Sequence, residues 1–251
     1  MNFFNDVIYI IVNYWQDFLL GVAWTLIISL VSTLIGLLFG LIIGIIRTIP
    51  YSQNKAVLVI QKIVNGLLSA YIEVFRGTPM MVQAVVIYWG YAFMMNGVTL
   101  PLIPSAIVIV SINTGAYIAE IVRGGINGID KGQFEACRAL GMNHFQTMVH
   151  VVIPQVMKTI LPAVSNEFVI NIKDTSVLNV IGVTELYFVM SVTVKMTYKN
   201  FPVYLVGCVI YFILTFIVTR IIKFIEKKIT GKKHYSLYGS NAIGELNEEA
   251  S

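Results

Sequence analysis

Long apolar stretches separated by short polar connections run through most of the chain. Stretches of about 20 residues are long enough for a helix to cross a bilayer. They predict five membrane spans, at about residues 21–46, 80–95, 102–122, 154–182 and 203–222. Between them, the stretch 56–75 is amphipathic and 185–202 is a mixed polar and aromatic connection. The predicted fold is therefore an all-α integral membrane protein with five transmembrane helices.

Residues 1–18 have a pattern unlike that of the spans. Apolar side chains recur there at helical spacing with polar residues between them, which predicts an amphipathic helix lying in the membrane interface. A membrane domain over 19–228 and a polar tail over 229–251 complete the predicted organisation. In the first span small residues occupy every fourth position, a spacing that lets a second helix pack closely: Ser32, Gly36, Gly40 and Gly44.

Composition and charge support this class and predict an orientation. The chain is 57% hydrophobic and 12% charged, which excludes an ordinary soluble domain. The net charge of +4 is not a sign of nucleic-acid binding, because the basic residues lie in short connections and at the C-terminus. Residues 1–18 contain no Lys or Arg, so the positive-inside rule predicts an external N-terminus and a cytoplasmic C-terminus. Lys195 and Lys199 are then external exceptions. Without a basic region before its first apolar stretch, the chain is not expected to carry a cleaved signal peptide.

A polar passage at about 126–154 is the longest such segment between predicted spans. It contains Glu135-Ala136-Cys137, then Gly141, and ends in Ile153-Pro154. This order predicts a helix, a glycine able to adopt left-handed geometry, and a second helix that re-enters the bilayer. Spacing alone leaves open whether it is a projecting functional helix or a plain cytoplasmic loop. Cys137 and Cys208 lie in different environments, so both are expected to be free thiols.

The polar passage resembles the EAA-type coupling loop of binding-protein-dependent ABC import permeases, with Cys137, Val151 and Ile153 as modest departures from the family pattern. EVFRGTPMMVQ at 73–83, INTGAYIAEIVRGGI at 112–126 and NEFVINIKDTSVLNVIGVTEL at 166–186 resemble the polar amino acid uptake permeases. The resemblance implies the type I importer fold, in the bacterial cytoplasmic (inner) membrane. It also implies an ATPase-coupling site at Glu135, Ala136, Arg138, Leu140 and Gly141.

The resemblance further implies the partners of the chain. They are two copies of an ABC ATPase subunit, a second permease subunit and an extracytoplasmic amino acid binding protein, all surrounded by membrane lipid. Five helices with one polar face each do not easily enclose a solute, so we expect two permease subunits, most simply a homodimer. The sequence has no G-x-x-x-x-G-K-[ST] phosphate loop, so ATP and Mg²⁺ are expected to bind the partner ATPase. No enzyme activity, cofactor or metal site is predicted in this chain.

Polar residues inside the predicted spans are the candidates for a substrate path, because ionisable groups in membrane helices are costly and usually face a water-filled route or a protein interior. Two sets of such residues recur at i, i+4 and i+7, so each lies on one face of a helix: Asn113, Tyr117 and Glu120, and Glu167, Asn171 and Asp174. A further candidate is Arg76, which comes just before a predicted helix break.

Two interpretations of these polar residues stay open. Their carboxylates either line a path or neutralise Arg76, Lys158 or Lys173 and hold helices together. Arg76 either binds a substrate carboxylate or pairs with Glu73. Carboxylates along a path favour a polar L-amino acid with a cationic or hydrogen-bonding side chain, such as a basic amino acid or glutamine. The alternative function is an ion-gradient-coupled secondary amino acid transporter.

Overall fold

The computed structural model describes residues 3–230, which form α-helices joined by short connections, without β-strands in that range. The helices are α1 (Phe3–Ile46), α2 (Lys55–Gly77), α3 (Met80–Met94), α4 (Leu102–Asn127), α5 (Lys131–Ala139), α6 (His144–Thr147), α7 (Ile153–Asp174), α8 (Leu186–Thr197) and α9 (Asn200–Thr230). A π-helix, Met148–Val152, joins α6 to α7, and a 3₁₀-helix, Thr175–Ile181, follows α7. The all-α prediction is confirmed.

Five helical segments are long and apolar enough to cross a membrane, but one of them differs from the predicted set. The segment is α2, whereas the prediction placed a crossing at 80–95. With 15 residues, α3 rises only about 22 Å, less than the roughly 30 Å of a hydrocarbon core. The amphipathic stretch 56–75 is part of α2, whose Tyr71, Ile72 and Phe75 pack against Ala116 and Ala119 of α4.

The helix predicted for residues 1–18 is present but is not a separate element. Helix α1 runs without a break from Phe3 to Ile46, because no proline interrupts it and Gly21 lies within the helix, buried against Leu186 of α8. Its N-terminal part buries Ile10 and Phe18 in a cluster with residues of α8 and α9. Most of the predicted tail, 231–251, lies outside the described residues.

Small residues form the contact between α1 and α4, as the sequence predicted. Ser32 and the three glycines that follow it at four-residue intervals are buried. A Cβ atom added at Gly36 would lie 3.0 Å from Thr114 Cβ, so the two backbones are already as close as they can be. This pairing is the central contact of the bundle, and α7 packs against both α1 and α4.

The segment predicted as a mixed polar and aromatic connection contains helix α8, which packs against α1 and α9. Beyond its end, Lys199 forms an ion pair with Asp6 near the start of α1 and lies 5.0 Å from the centre of the Tyr9 ring. One of the two predicted external lysines is thus neutralised within the protein. Cys137 is buried and Cys208 exposed, both as free thiols, as predicted.

Candidate functional site

Helix α5 is held at both ends by its own local sequence. At its start the Asp130 carboxylate accepts a hydrogen bond from the backbone N–H of Gly132 at 2.6 Å. At its end the N–H groups of Gly141 and Met142 donate to the carbonyls of Arg138 and Cys137, the hydrogen-bond pattern of a Schellman motif. This motif requires the left-handed φ of +74° that Gly141 adopts. The left-handed geometry predicted for this glycine is confirmed.

A second short helix follows at once and leads back into the bundle. Asn143 and Gln146 form a capping box, with the Gln146 N–H donating to Asn143 Oδ1 at 2.8 Å and the Asn143 N–H donating to Gln146 Oε1 at 2.9 Å. The π-helix that follows ends just before Pro154, whose ring would crowd the carbonyl one turn earlier in a regular α-helix. The predicted helix, glycine and second helix are therefore all present.

The surface formed by α5 and α6 carries apolar side chains that no part of the described chain covers. Leu140 is 80% exposed and Phe145 is 73% exposed, whereas Phe134 on the opposite side packs partly into the bundle. All five residues predicted to couple to an ATPase are exposed. Phe145 was not among the predicted site residues, although an exposed aromatic side chain in a polar passage is a sign of a contact surface. The exposed apolar side chains make this surface a candidate contact site.

The predicted face of α4 contacts the junction between α2 and α3. The Asn113 amide donates to Gln83 Oε1 at 2.9 Å and to the Phe75 carbonyl at 3.2 Å. Gln83 in turn donates to the carbonyls of Phe75 and Thr78, which the break between α2 and α3 leaves without helical partners. Gln83 was not predicted, although a polar residue inside an apolar stretch marks it. Asn113 stabilises this helix break.

Asn171 and Glu120 also connect helices. The Asn171 amide donates to Thr33 Oγ1 at 2.8 Å and to Thr114 Oγ1 at 3.0 Å, which joins α7, α1 and α4 in the buried core. Glu120 forms ion pairs with Arg47 and Arg123, not with any of the three basic residues considered from the sequence. Arg47 also donates to Ser69 of α2 at 3.1 Å.

Four of the seven predicted path residues remain outside such networks. The Arg76 guanidinium lies 5.3 Å from the centre of the Tyr117 ring. Within residues 3–230, Arg76 forms no ion pair with Glu73, and neither Glu167 nor Asp174 forms one with any residue. Arg76 and Asp174 are exposed on the single chain and Glu167 is half-buried. These four side chains are available to a solute or to another subunit.

A family model described as "binding-protein-dependent transport system inner membrane component" matches residues 56–231. The chain belongs to this family. Its relatives include the glutamine transport system permease protein GlnP of Escherichia coli (strain K12), which is 35% identical over 167 residues, 66% of this chain and 76% of that protein. The putative GlnP of Rickettsia bellii (strain RML369-C) is 34% identical over 159 residues, 63% of this chain and 72% of that protein.

Two solved structures share the architecture of this permease. The crystal structure of an amino acid ABC transporter with histidines has a TM-score of 0.75 and 35% sequence identity, covering 91% of this chain and 99% of that chain. An inward-facing structure of the MetNI methionine ABC transporter has a TM-score of 0.71 and covers 87% of this chain and 98% of that one. Its 21% identity shows the fold alone. These findings support the importer over the secondary transporter considered from the sequence.

The permease contains a buried carboxylate that sequence analysis did not single out. Glu185 is fully buried at the start of α8, where it accepts hydrogen bonds from the N–H groups of Tyr187 (2.9 Å) and Phe188 (2.7 Å) and from the Tyr211 hydroxyl (3.1 Å). Burial raises the pKa of Glu185 from 4.5 to about 7. Glutamate is not a preferred N-cap residue, so the sequence pattern gives little sign of this role.

The raised pKa of Glu185 predicts a pH-dependent stability. Because the folded protein holds this proton more tightly than the unfolded chain, stability declines as pH rises from about 4.5 to about 7 and then levels off, with a slope of up to about 1.4 kcal/mol per pH unit. Glu185→Gln should flatten this decline. Thermal unfolding of the purified complex between these pH values measures it, with exposed Glu73→Gln as the control. Parallel profiles for the parent and Glu185→Gln would exclude the assignment.

Proposed function

We propose that this permease forms the translocation path of an ATP-driven importer for a polar amino acid, with glutamine or a basic amino acid as the favoured substrate. The observation that carries the proposal is the exposed α5–Gly141–α6 surface on a membrane component whose relatives include glutamine permeases. Because the sequence has no G-x-x-x-x-G-K-[ST] phosphate loop, energy from ATP would reach this subunit through contact with a separate ATPase. The exposed Leu140 and Phe145 give that contact a surface to bind.

The proposed coupling site consists of Glu135, Ala136, Arg138, Leu140 and Gly141, to which we add Phe145. Two copies of the ATPase subunit would bind two permease subunits, one at each coupling surface, and would hold the ATP and Mg²⁺. When the ATPase pair closes on ATP, the rigid connection from α6 through the π-helix to α7 would transmit the movement to the bundle. An extracytoplasmic binding protein would deliver the amino acid on the opposite side.

A second permease subunit, most simply an identical one, is part of the proposal. Helices α2 and α9 bury little of their apolar surface within the single chain. Arg76, Tyr117 and Glu167 lie close together at the edge of the bundle rather than inside a closed channel. A path lined by these side chains needs a wall from a second copy. Lipid would cover the remaining apolar surface.

The proposed orientation has the N-terminus outside and the C-terminus in the cytoplasm of a bacterium, which makes a labelling pattern predictable. With endogenous Cys208 replaced by serine, a cysteine at Asn5 should react with an impermeant thiol reagent in intact spheroplasts. A cysteine at Lys131 should react only after the membrane is opened. The opposite pattern would place the coupling surface outside and contradict the proposal.

Glu167 tests the substrate path. If its carboxylate contacts the transported amino acid, Glu167→Gln should change the order of preference among glutamine, histidine, arginine and lysine, because removing one charge-assisted hydrogen bond costs roughly 1.5–3 kcal/mol for the substrates that use it. The measurement is competition for uptake by reconstituted transporter, normalised to assembled complex. The control is Glu73→Gln. The Glu73 carboxylate is exposed and forms no ion pair among the described residues.

Two outcomes of the Glu167→Gln experiment have distinct meanings. A changed preference at normal complex yield supports contact with substrate. An unchanged preference with low complex yield for every substrate would assign Glu167 to helix packing and leave Arg76 and Tyr117 as the candidates for the path. Asn113, Glu120 and Asn171 are then positioning residues of that path, since their hydrogen bonds and ion pairs fix α2, α4 and α7 around it.

A further inference from the structure

A basic cavity lies between α7 and α9, apart from the coupling surface and the proposed path. Its volume is about 310 Å³. Three cationic side chains border it, one from α7 and two from the C-terminal half of α9: Lys173, Arg220 and Lys223. The rest of the lining consists of two threonines, two aromatic rings and one aliphatic side chain: Thr215, Thr219, Phe212, Phe216 and Val169. The cavity therefore has a charged part and an apolar part.

The three cations have no partner of opposite charge within residues 3–230. The three ion pairs in that range involve other residues, and Lys173, Arg220 and Lys223 are all exposed on the single chain. Asp174 follows Lys173 in sequence but points about 100° away around the helix. Charged groups at the depth of spanning helices are costly unless a counter-charge reaches them. The lining of the cavity therefore carries a net positive charge that suits an anionic ligand.

The order of residues along α9 gives the cavity a charged end and an apolar end. Phe212, Phe216, Arg220 and Lys223 follow one another at intervals of four, four and three residues, so they lie in one stripe on the helix. The two rings lie toward the middle of α9 and the two cations toward its C-terminal end. The Arg220 guanidinium lies 5.0 Å from the centre of the Phe216 ring, so its flat face rests on the apolar part. A ligand that follows this stripe is negative at one end and apolar at the other.

We propose that this cavity binds the headgroup of an anionic glycerophospholipid, such as phosphatidylglycerol. Its volume of about 310 Å³ is about ten times the roughly 30 Å³ that one water molecule occupies in the liquid. A phosphoglycerol headgroup has about ten heavy atoms, so its size matches the cavity. The phosphate lies between Lys173 of α7 and the two cations of α9, and an acyl chain runs along Phe216 and Phe212. Basic pockets between transmembrane helices bind lipid headgroups in this way. The cytoplasmic leaflet follows from the proposed orientation, whereas the site itself depends only on its geometry.

Vesicles of phosphatidylcholine that contain a spin-labelled lipid test the proposal. The permease, assembled with its ATPase subunit, is expected to immobilise spin-labelled phosphatidylglycerol in preference to spin-labelled phosphatidylcholine. In the double variant Arg220→Gln/Lys223→Gln this preference should fall at least about fivefold for each charge removed. The control is Lys227→Gln/Lys228→Gln, which removes the same charge from the same helix outside the cavity.

Each other outcome overturns the lipid site. An equal loss in both double variants would mean a general attraction of lipid to the basic end of α9. Displacement of the label by inorganic phosphate would mean a soluble anion is bound, and a cross-link between two permease copies through a cysteine at Thr219 would mean the partner covers the cavity. If the double variant does not assemble, Lys173→Gln takes its place. Transport is not part of the readout, so a failure here is distinct from a failure of the proposed import function.

Discussion

Replacing Gly40 with valine is expected to prevent assembly of the permease. A Cβ at this position would lie 2.6 Å from Ile118 Cγ2 and 3.0 Å from the backbone N of Ala119, and valine adds two further methyl groups. The backbone contact leaves α4 unable to yield by rotating one side chain, so α1 and α4 must separate. Overpacking of this kind costs about 1–3 kcal/mol or more, at the contact around which the bundle is built. The amount of assembled complex, measured by gel filtration of solubilised membranes, should fall by more than about tenfold.

Gly66→Val is the matched control for Gly40→Val. Gly66 is also within a helix, and a Cβ there would meet nothing within 4 Å. Valine at this position should leave assembly close to that of the parent. If Gly40→Val assembles as well as Gly66→Val, the close approach of α1 and α4 does not hold the fold together.

Replacing Gly141 with valine is expected to uncouple transport from ATP hydrolysis while the protein still inserts and folds. A β-branched residue at φ +74° is strained by about 1–2 kcal/mol. The backbone can release this strain by breaking the hydrogen bonds of the Schellman motif. That change would turn α5 away from α6 and displace Leu140 relative to Phe145. Uptake and substrate-stimulated ATPase activity should both fall by at least about tenfold, since a small misplacement of a docked surface loses most of its function.

Gly124→Val controls for the size of the new side chain. Gly124 is near the C-terminal end of α4, the end that leads into α5. Its φ is not left-handed, and a Cβ added there would meet nothing within 4 Å. We expect Gly141→Val to reach the membrane in normal amounts but to lose coupling. We expect Gly124→Val to keep normal coupling. A Gly141→Val transporter that binds its ATPase and imports at the parent rate would show that this surface is not the coupling site.

Both glycine predictions come from features that sequence alone could reveal, because each depends on short-range rules. Small residues at every fourth position lie on one side of a helix wherever its partner is. A glycine between two capped helices favours a left-handed turn whatever surrounds it. Helix boundaries marked by Gly77-Thr78-Pro79 and by Pro154 were recoverable for the same reason.

Features that depend on partners far apart in sequence could not be predicted. Asn113 and Asn171 matched the pattern of path residues, yet they contact residues 30 and 138 positions away in the chain. Glu120 pairs with Arg47, 73 residues distant, whereas the interpretation from sequence considered Arg76, Lys158 and Lys173. The prediction also chose the wrong segment as a membrane span, because polar residues within 56–75 make that stretch look amphipathic although α2 is 23 residues long, whereas the more apolar α3 has only 15 residues.

Import driven by a partner ATPase is the central claim, and uptake into proteoliposomes tests it most directly. The liposomes contain this permease and its ATPase subunit, the binding protein is supplied outside, and ionophores remove proton and sodium gradients. Glutamine uptake should require ATP inside the liposomes and persist without any ion gradient. Uptake that proceeds without ATP and follows an imposed proton or sodium gradient would contradict the account.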